Sequence, residues 1–431
     1  MLMDQDRPGR AVAVLTDTDP AGGLNAGPQV RVSRRSWSAG ASILLLASVA
    51  ASLLATSSAP TPLYASYARA WRLSAASTSL AFGVYALSLL AGLLLLGRLS
   101  DHLGRRPVLL VAMAVQIIAL AVFATAGGIA ALLVGRVLQG ISTGVGVSAV
   151  GAALLDVDTQ RGTVANSVAP AAGSAIGAMT SALAVQFLPA PTRLIYGLLA
   201  VALAVQALAL ARLEETSQHA PGVLASLRPQ VRLPVSVRGD FAAAAPVLFA
   251  IWALTGLFGS LGPALVHQLT GSPSVVLATV PLTLIGVLSP FTAYRLRESS
   301  PRSSLALGVA GLLLGVAVTV VAVLVSSGPV LFAAAVLAGV GFGAGFRGSI
   351  QLMLPAVPPG ERAGTLSSLY IVSYLGFGVP AIIAGIIDAK TRDVSGTTLG
   401  YSGVLILLAL IAAIALRRTG TRRRTPTSQD R

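Results

Sequence analysis

Long hydrophobic runs alternate with short polar stretches along most of the chain. Twelve of these runs reach the length, about 20 apolar residues, that a helix needs to cross the hydrocarbon core of a bilayer. They lie at 39–61, 75–96, 108–126, 129–155, 163–188, 193–211, 242–268, 274–294, 303–325, 329–354, 363–387 and 398–416. The pattern predicts an all-α membrane protein with twelve transmembrane helices.

The polar stretches divide the predicted helices into two groups of six. Residues 1–38 mix charged residues with Pro and Gly and carry no apolar period, which is typical of a flexible tail. The long internal polar stretch at 212–241 predicts a cytoplasmic linker between a six-helix bundle at 39–211 and a second one at 242–416. Residues 417–431 then form a basic cytoplasmic tail. No cleavable signal peptide is expected, because the first apolar run already has spanning length.

The composition supports this class and excludes several functions. Of 431 residues, 55% are hydrophobic and 10% charged, whereas a soluble domain carries about 25% charge. Aromatic residues at 5% argue against an outer-membrane barrel with its aromatic girdles. The chain has no cysteine and a single lysine, Lys390, so thiolate metal sites and the phosphate-binding lysine loop are excluded. We therefore expect no cofactor, no metal and no ATP-driven step, and the scarcity of clustered His, Asp and Glu argues against a membrane enzyme.

The strongly basic balance, a formal net charge of +15, is explained by topology. Nucleic-acid binding would need a basic face on a soluble domain, but here the arginines lie between the hydrophobic runs. With the N-terminus inside, the basic residues in loops on the opposite side are only Arg69, Arg72, Arg193, Lys390 and Arg392. The positive-inside rule then predicts a multi-pass protein of the cell (inner) membrane with both termini in the cytoplasm and no nucleic-acid partner.

Two short patterns recur in the two predicted bundles. Leucine, an acid and arginine follow the second span as Leu99, Asp101 and Arg105, and they follow the eighth span as Leu296, Glu298 and Arg302. Glycines recur in the fourth span as Gly140, Gly144 and Gly146, and in the tenth as Gly339, Gly343 and Gly345. Both sets repeat at nearly the same offset, which indicates a duplicated six-helix unit of the kind many transporters use.

The loop between spans two and three carries a specific resemblance. Its sequence, Gly97-Arg98-Leu99-Ser100-Asp101-His102-Leu103-Gly104-Arg105-Arg106, resembles the signature G-x-L-[GAS]-D-[RK]-x-G-R-[RK] of the major facilitator superfamily at the same place in the chain. His102 departs from the usual basic residue and Leu103 from the common aromatic. The resemblance extends over the whole membrane region and implies two pseudo-symmetric six-helix bundles that rock about a central cavity.

The resemblance also implies a conformational latch on the cytoplasmic side. In that family the aspartate and the arginine at the positions of Asp101 and Arg105 are thought to hold the halves together, with an acid at the end of span four. Asp156 or Asp158 would fill that place. The latch residues would be Gly97, Asp101, Gly104, Arg105, Arg106 and Asp156. Asp101 would cap the N-terminus of span eleven; the alternative is that the arginines only enforce topology.

Span four contains a second match, because Arg136-Val137-Leu138-Gln139-Gly140 resembles the family's R-x-x-Q-G pattern. The spacing puts Arg136, Gln139 and Gly140 on one helical face. An arginine inside a span is costly and is expected to face the bundle interior or a wet cavity. The alternative is an arginine near the outer end of its span that snorkels to the interface.

Further candidates for substrate contact are aromatic. Tyr85 lies in span two and Trp252 in span seven, and span eleven carries Tyr370, Tyr374 and Phe377, of which the two tyrosines are four residues apart on one face. No acid falls at the centre of a span, so the predicted cavity suits neutral or anionic solutes better than cations. If protons are coupled, Asp101, Asp156, Asp158 or His267 would have to carry them.

The sequence therefore predicts a secondary transporter that moves a small organic solute by alternating access. The favoured activity is proton-linked efflux of a drug-like or metabolic compound, because exporters of this family most often lack a long soluble domain. The alternative is proton-linked uptake of a small, possibly anionic metabolite, and a channel is a more distant one. The expected partners are the substrate, protons and the lipid bilayer, with the chain acting as a monomer.

Overall fold

The computed structural model describes residues 37–217, 221–229, 231–358 and 361–422, and regular structure in these ranges is helical throughout. Twelve of the helices there are long and apolar enough to cross a membrane. The chain is therefore a multi-pass membrane protein, as the hydrophobic pattern predicts. Most of the two predicted tails, residues 1–36 and 423–431, lies outside the described residues.

Eight helices form the N-terminal part of the fold. They are α1 (Ala39–Ser58), α2 (Tyr64–Trp71), α3 (Ala75–Leu96), α4 (Leu99–Leu103), α5 (Arg105–Ala124), α6 (Ile129–Val157), α7 (Thr159–Phe187) and α8 (Pro191–Leu210). The short helices α2 and α4 lie at opposite ends of α3. We call the end that carries α4 and the start of α5 the basic end, and the end that carries α2 the far end.

A further eight helices follow. They are α9 (Val223–Ser226), α10 (Arg238–Ser260), α11 (Gly262–Thr270), α12 (Val275–Arg295), α13 (Pro301–Leu324), α14 (Gly328–Met353), α15 (Arg362–Thr391) and α16 (Val394–Arg422). The four-residue α9 lies in the polar linker. The described part of the linker thus contains α9 and a short 3-10 helix at Val235–Val237, and α10 begins at Arg238, before the predicted end of the linker.

Serine or aspartate side chains cap the N-termini of five of the long helices. The hydroxyl groups of Ser38, Ser74, Ser274 and Ser300 each accept a backbone N–H from the third residue that follows, at 3.2–3.3 Å. The carboxylate of Asp158 does the same at the start of α7. Each cap satisfies one of the four N–H groups that a helix start leaves without a backbone partner.

The buried apolar side chains form two separate cores. One core runs from Leu46 to Leu213 and includes a single residue of the later chain, Ala381 of α15. The other runs from Val237 to Ala412. The helices thus pack mainly with partners from their own half of the sequence, and Ala381 marks a place where the halves meet.

The repeated glycines pack in equivalent places in the two halves. A Cβ atom at Gly144 of α6 would lie 2.4 Å from the Leu89 carbonyl oxygen of α3, and one at Gly343 of α14 would lie 2.1 Å from the Ser289 carbonyl oxygen of α12. Both contacts join the second and fourth spans of a six-helix unit. Small residues let the backbones approach this closely in a membrane, so the glycine repeat reflects a repeated helix pairing.

The halves are joined at α3 and α15, which run antiparallel. A Cβ atom at Gly385 would lie 2.2 Å from the Ser79 side chain, and one at Gly378 would lie 3.1 Å from the Ala86 Cβ. Ser79 lies one turn from the start of α3, at the far end. The close contacts between these two helices therefore lie in the half of the bundle toward the far end.

A second contact between the halves joins α7 and α12. A Cβ atom at Gly286 would lie 3.2 Å from the Ala175 Cβ, near the middle of both helices. At the far end, the Gln186 side-chain oxygen accepts the Ser274 hydroxyl at 2.8 Å and the Val276 backbone N–H at 3.2 Å. We call the contacts of α3 with α15 and of α7 with α12 the far-end seal.

Several helix ends differ from the predicted spans by a few residues, and two of these differences bear on the far end. The predicted seventh span, 242–268, is broken at Leu261 into α10 and the nine-residue α11, where Gly262 and Pro263 interrupt the helix. The eleventh span was expected to end at 387, but α15 continues to Thr391. That extension places Asp388, expected in a loop, inside a helix.

Candidate functional site

The signature loop is a tight reversal at the basic end. Gly104 has a φ of +93°, a conformation that glycine adopts without strain and other residues rarely take. A Cβ atom there would lie 2.7 Å from a carboxylate oxygen of Glu215, and one at Gly97 would lie 2.9 Å from the Ser148 hydroxyl. A Cβ atom at Gly97 would also lie 2.3 Å from the Leu93 carbonyl oxygen, so close backbone contact requires glycine at Gly97, whereas backbone conformation requires it at Gly104.

Arg105 is the centre of a polar network in this loop. Its guanidinium group binds the carboxylate of Asp101 one turn earlier and donates to the Ser100 hydroxyl at 2.8 Å. Its Nε donates to the Asp156 carboxylate at 3.1 Å. The structure therefore brings Asp101, Arg105 and Asp156 together, and Asp158 instead caps α7 through the backbone N–H of Arg161 at 2.9 Å.

Glu215 belongs to the same network, and the sequence analysis missed it. Its two carboxylate oxygens accept the backbone N–H groups of Arg105 at 2.8 Å and Arg106 at 3.0 Å, at the N-terminus of α5. The Arg106 guanidinium donates to the Leu213 carbonyl oxygen at 3.1 Å. A carboxylate is well placed at a helix start. The only signal in the sequence was an acidic pair, Glu214-Glu215, at the start of the polar linker.

Asp101 does not make the contact with span eleven that the motif implied. Its carboxylate is about half exposed, at 48%, and pairs with Arg105 within the same loop. At the start of α15, a Cβ atom at Gly364 would lie 2.9 Å from the Arg232 side chain, which forms a 3.5 Å ion pair with Glu361. In this structure Asp101 therefore pairs within its own loop, and Arg232 with Glu361 occupies the start of α15.

Arg136 is fully buried at 1% exposure, inside the N-terminal core rather than at an interface. Its Nε donates to the Tyr64 hydroxyl at 2.7 Å, and its Nη1 donates to the Ser57 carbonyl oxygen at 2.9 Å and to the Gln139 side-chain oxygen at 2.6 Å. A snorkelling arginine would expose its charged head. The geometry here instead ties α6 to α1 and α2.

Three aromatic rings surround the same guanidinium group. Its carbon lies 5.2 Å from the ring centroids of Tyr64 and Tyr85 and 5.9 Å from that of Phe123. Cation–π attraction stabilises a desolvated guanidinium at such distances. Among the residues that the structure describes, no carboxylate lies within ion-pair distance of Arg136. The positive charge is therefore stabilised by hydrogen bonds to uncharged oxygen atoms and by the faces of aromatic rings.

Gln139 and Gly140 complete this network on α6. The Gln139 amide donates to the Thr56 carbonyl oxygen at 2.9 Å, and Gln116 of α5 donates to the Thr56 hydroxyl at 2.7 Å. A Cβ atom at Gly140 would lie 2.7 Å from the Tyr85 carbonyl oxygen. The predicted set of Arg136, Gln139 and Gly140 thus lies together and packs four helices of the N-terminal half.

A cluster of rings lies where the second half faces the first. We call it the aromatic cluster, and its members are Trp252, Phe342, Phe346, Tyr374 and Phe377. The Trp252 ring centroid lies 5.2 Å from Phe342, 6.2 Å from Phe346, 5.0 Å from Tyr374 and 5.5 Å from Phe377. The sequence analysis named Trp252, Tyr374 and Phe377 and missed Phe342 and Phe346.

The aromatic cluster reaches both the candidate Tyr370 and the N-terminal half. Tyr370 lies 6.3 Å from Tyr374 between ring centroids. Phe377 lies 4.7 Å from Phe82 of α3. The indole N–H of Trp252 is buried and has no hydrogen-bond partner, which is unusual for a buried donor. The cluster therefore offers apolar ring faces and one free donor at the junction of the halves.

Metal binding finds no support in the described ranges, because no group of three His, Asp or Glu side chains there is close enough to hold an ion. His267 lies on α11, where its exposed ring contacts the Ser272 carbonyl oxygen at 2.9 Å. It is thus a far-end residue outside the long helices.

Comparisons with known proteins agree with this architecture. A bacterial homolog of the human lysosomal transporter Spinster, inward-facing and unoccupied, is similar in structure with a TM-score of 0.73 at 14% identity, covering 90% of this chain and 99% of that one. The D-xylose-proton symporter is similar with a TM-score of 0.68 at 16% sequence identity, over 86% of this chain and 96% of the symporter. The human organic anion transporter MFSD10 is similar with a TM-score of 0.62 at 21% sequence identity, over 88% of this chain and 100% of that transporter. A search of curated proteins finds no match.

The sequence itself carries the family signal over most of its length. The profile of the Major Facilitator Superfamily matches residues 44–381, from the first spanning helix into the eleventh. Together with the twelve spanning helices and the signature loop built around Arg105, this match establishes that the chain belongs to the Major Facilitator Superfamily.

Proposed function

We propose that this secondary transporter is a proton-linked exporter of a small organic compound of drug-like or metabolic type. The transport class follows from the family, whose members are transporters and not enzymes. The observation that carries the substrate proposal is the aromatic cluster, which lies beside the Phe82–Phe377 contact between the halves. A solute bound there would contact both halves, as alternating access requires.

The aromatic cluster favours a planar, uncharged or anionic solute. Ring faces pack well against other aromatic groups, and the Trp252 indole N–H is a buried donor without a partner. A carbonyl or carboxylate oxygen on the solute would satisfy it. The five members of the cluster carry no acidic group, so an organic cation would find no counter-charge among them.

The proposed direction rests on which end of the bundle is cytoplasmic. The arginine-rich loops lie at the basic end, and the positive-inside rule places such loops in the cytoplasm. The far-end seal is then the outer seal, and in the proposed cycle solute enters from the cytoplasmic side. The proposal includes a location in the inner membrane, cytoplasmic termini, a monomeric state and the domain boundaries given above.

The second candidate is uptake of a small anionic metabolite. It is favoured by Arg136, whose positive charge has no carboxylate partner among the described residues. In this structure the guanidinium is enclosed by Tyr64, Tyr85 and Phe123. An anion would reach it only after the contacts around Tyr85 rearrange, so this candidate requires a larger change within the N-terminal half.

Binding can be tested through tryptophan fluorescence, because the chain has three tryptophans. A chemically diverse panel is screened by thermal shift, and hits are titrated against the purified protein. Quenching is expected to disappear in Trp252→Phe and to persist in Trp71→Phe, whose ring stacks on Tyr67 at 4.5 Å. Unchanged quenching in Trp252→Phe would remove the aromatic cluster from the substrate site.

Coupling and direction are tested in proteoliposomes of known orientation. An imposed pH gradient is expected to drive uphill, saturable movement of a panel hit toward the far-end side, and a protonophore is expected to abolish it. Movement only toward the basic end would favour uptake, and insensitivity to the protonophore would reject proton coupling. Currents far above carrier turnover would indicate a channel.

A further inference from the structure

Asp388 is a buried acid that neither the family motif nor the proposed substrate site uses. It lies in the last turn of α15, at the far end, and its residue exposure is 7%. Its Oδ1 atom is fully buried and has no hydrogen-bond partner. A buried carboxylate oxygen without a partner is costly, so its chemical state requires an explanation.

The face of α15 that carries Asp388 is the one that meets the other half. Phe377, Ala381 and Asp388 follow one another at intervals of four and seven residues, which places them along one side of the helix, whereas Ala384 on the adjacent strip belongs to the C-terminal core. Phe377 contacts Phe82 of α3, and Ala381 belongs to the N-terminal core. Asp388 therefore lies on the extension of the contact between the halves toward the far end.

A second unpartnered polar group lies at the same end of the same contact. The Ser79 hydroxyl of α3 is buried without a hydrogen-bond partner, and a Cβ atom at Gly385 would lie 2.2 Å from it. Gly385 precedes Asp388 by one helical turn. The far-end seal thus buries an acid on one helix and a hydroxyl on the other.

No basic side chain compensates Asp388 from the helices packed against α15. Within their described side chains, α3 and α16 carry tyrosines Tyr85 and Tyr401 but no acid or base, and α10 carries Arg238 and Asp240 at its opposite, basic-end start. Lys390 and Arg392, on α15 and at its end, are exposed to solvent. The neighbouring carboxylate of Asp393 adds negative charge near Asp388.

We propose that Asp388 is a proton-binding site of the far-end seal. It holds a proton while α3 and α15 are packed together, and it releases that proton to the medium at the far end when the two helices part. Closure removes water from the carboxylate and supplies no cation, which favours the neutral form, whereas opening returns water and favours the charged form. This inference rests on the alternating opening proposed above.

The sign of the pH effect follows from linkage. The closed seal binds one proton more than the open seal in the range where Asp388 titrates, so closure is favoured at acidic pH and is lost as the pH rises. A single proton changes the ratio of closed to open forms by at most about tenfold per pH unit. A neutral side chain at this position would keep the seal closed at every pH.

The test measures the distance across the far end in the full-length protein. The chain has no cysteine, so spin labels are attached at Arg69→Cys on α2 and Ala264→Cys on α11, both exposed. Distances are recorded in lipid nanodiscs between about pH 5 and about pH 9, a range that brackets carboxylate titration in and out of a buried site. The fraction of the short distance is expected to fall with rising pH, and in Asp388→Asn it is expected to stay high.

Two further variants keep the outcome interpretable. Asp393→Asn removes the exposed neighbouring charge and preserves a helix cap, and it is expected to retain the pH dependence with its midpoint moved to lower pH. Asp388→Glu retains a titratable group and is expected to retain the pH dependence. Equal pH dependence in the parent chain and Asp388→Asn would overturn the proton site. If binding of a panel hit still changes the label-to-label distances in Asp388→Asn, the protein still alternates between two states and only the proton site is rejected. A single fixed distance in every protein and condition would overturn alternating access itself.

Discussion

Phe82 of α3 and Phe377 of α15 meet across the two halves of the protein, with ring centroids 4.7 Å apart and ring planes tilted by 53°. Phe377 also touches Trp252 at 5.5 Å, and the edge of Phe82 lies 2.6 Å from the position of a Cβ atom at Gly259. The ring pair therefore connects the far-end seal to the aromatic cluster. In the proposed cycle, a solute bound in the aromatic cluster would act on the contact that opens at the far end.

Removing one ring of this pair is expected to weaken the closed far end. An aromatic pair contributes about 1 kcal/mol beyond its buried area, so Phe82→Ala is expected to shift the closed-to-open ratio by roughly fivefold toward opening. The check is the labelling rate of a cysteine introduced at Ser79, which lies within the seal. Phe82→Leu, which retains apolar bulk, serves as the intermediate control; equal labelling rates in all three proteins would contradict the role of the ring pair.

The carboxylate of Glu215 is expected to stabilise the basic-end loop. It accepts the backbone N–H groups of Arg105 and Arg106, and losing its charge at a helix N-terminus costs about 1 kcal/mol. Glu215→Gln should therefore lower the thermal unfolding temperature. The adjacent, exposed Glu214 provides the matched control, because Glu214→Gln should leave that temperature unchanged. A lower unfolding temperature for Glu214→Gln than for Glu215→Gln would exclude the Glu215 cap on α5.

The buried Arg136 is expected to act mainly on stability. Its guanidinium group donates hydrogen bonds to Tyr64, Ser57 and Gln139. A lysine ammonium group cannot form the same branched, planar set of hydrogen bonds. Arg136→Lys is expected to cost about 3 kcal/mol, in line with losing hydrogen bonds to a buried charge. Denaturant-dependent unfolding measures this cost. A double-mutant cycle with Tyr64→Phe should show strong coupling, and additive effects would mean that the Arg136–Tyr64 contact contributes little.

Asp101 is expected to bias the two facing states. If its carboxylate caps α15 when the basic end closes, Asp101→Asn weakens that closure and raises the population that is open at the basic end. Spin labels across the basic end measure this population. Asp158→Asn, which removes a charge at the same end but keeps the α7 cap, is the control. A population unchanged by Asp101→Asn would reject the latch.

Tyr67 provides a prediction at alkaline pH. Its hydroxyl contacts the Tyr196 hydroxyl at 2.9 Å, and burial raises the pKa of Tyr67 to about 12. The folded state therefore binds this proton more tightly than the unfolded state, whose tyrosines titrate near about 10. The resulting stability is present below the unfolded pKa and is lost as the pH rises toward the folded value. Ultraviolet titration of the parent chain and Tyr67→Phe isolates this group.

Much of the fold was predictable because lipid imposes a length and a composition on every spanning helix. The twelve spans, the glycine repeat and the signature loop follow from local patterns. The break at Leu261 was missed because Gly262 and Pro263 interrupt a run that stays apolar. Two members of the aromatic cluster, Phe342 and Phe346, were not predicted. They lie among glycines, and no local sequence pattern distinguishes a ring that packs in the core from one that lines a cavity.

The partners of charged groups were the least predictable part. The sequence placed Arg136 on an interior face, but its enclosure by Tyr64, Tyr85 and Phe123 depends on contacts between distant helices. Glu215 reaches the start of α5 from the linker, across more than a hundred residues. Asp388 looked like a loop residue until the length of α15 was known. Each case depends on tertiary packing that periodicity does not encode.

The central claim is that the far-end seal opens and closes during transport, and disulfide trapping tests it most directly. Gln186 and Ser274 face each other across the seal, with 2.8 Å between the side-chain oxygens. Because the chain lacks cysteine, the double variant Gln186→Cys/Ser274→Cys can be oxidised selectively, with each single variant as a control. The account predicts that the cross-linked protein stops transporting and that reduction restores transport. Undiminished transport by the fully cross-linked protein would contradict it.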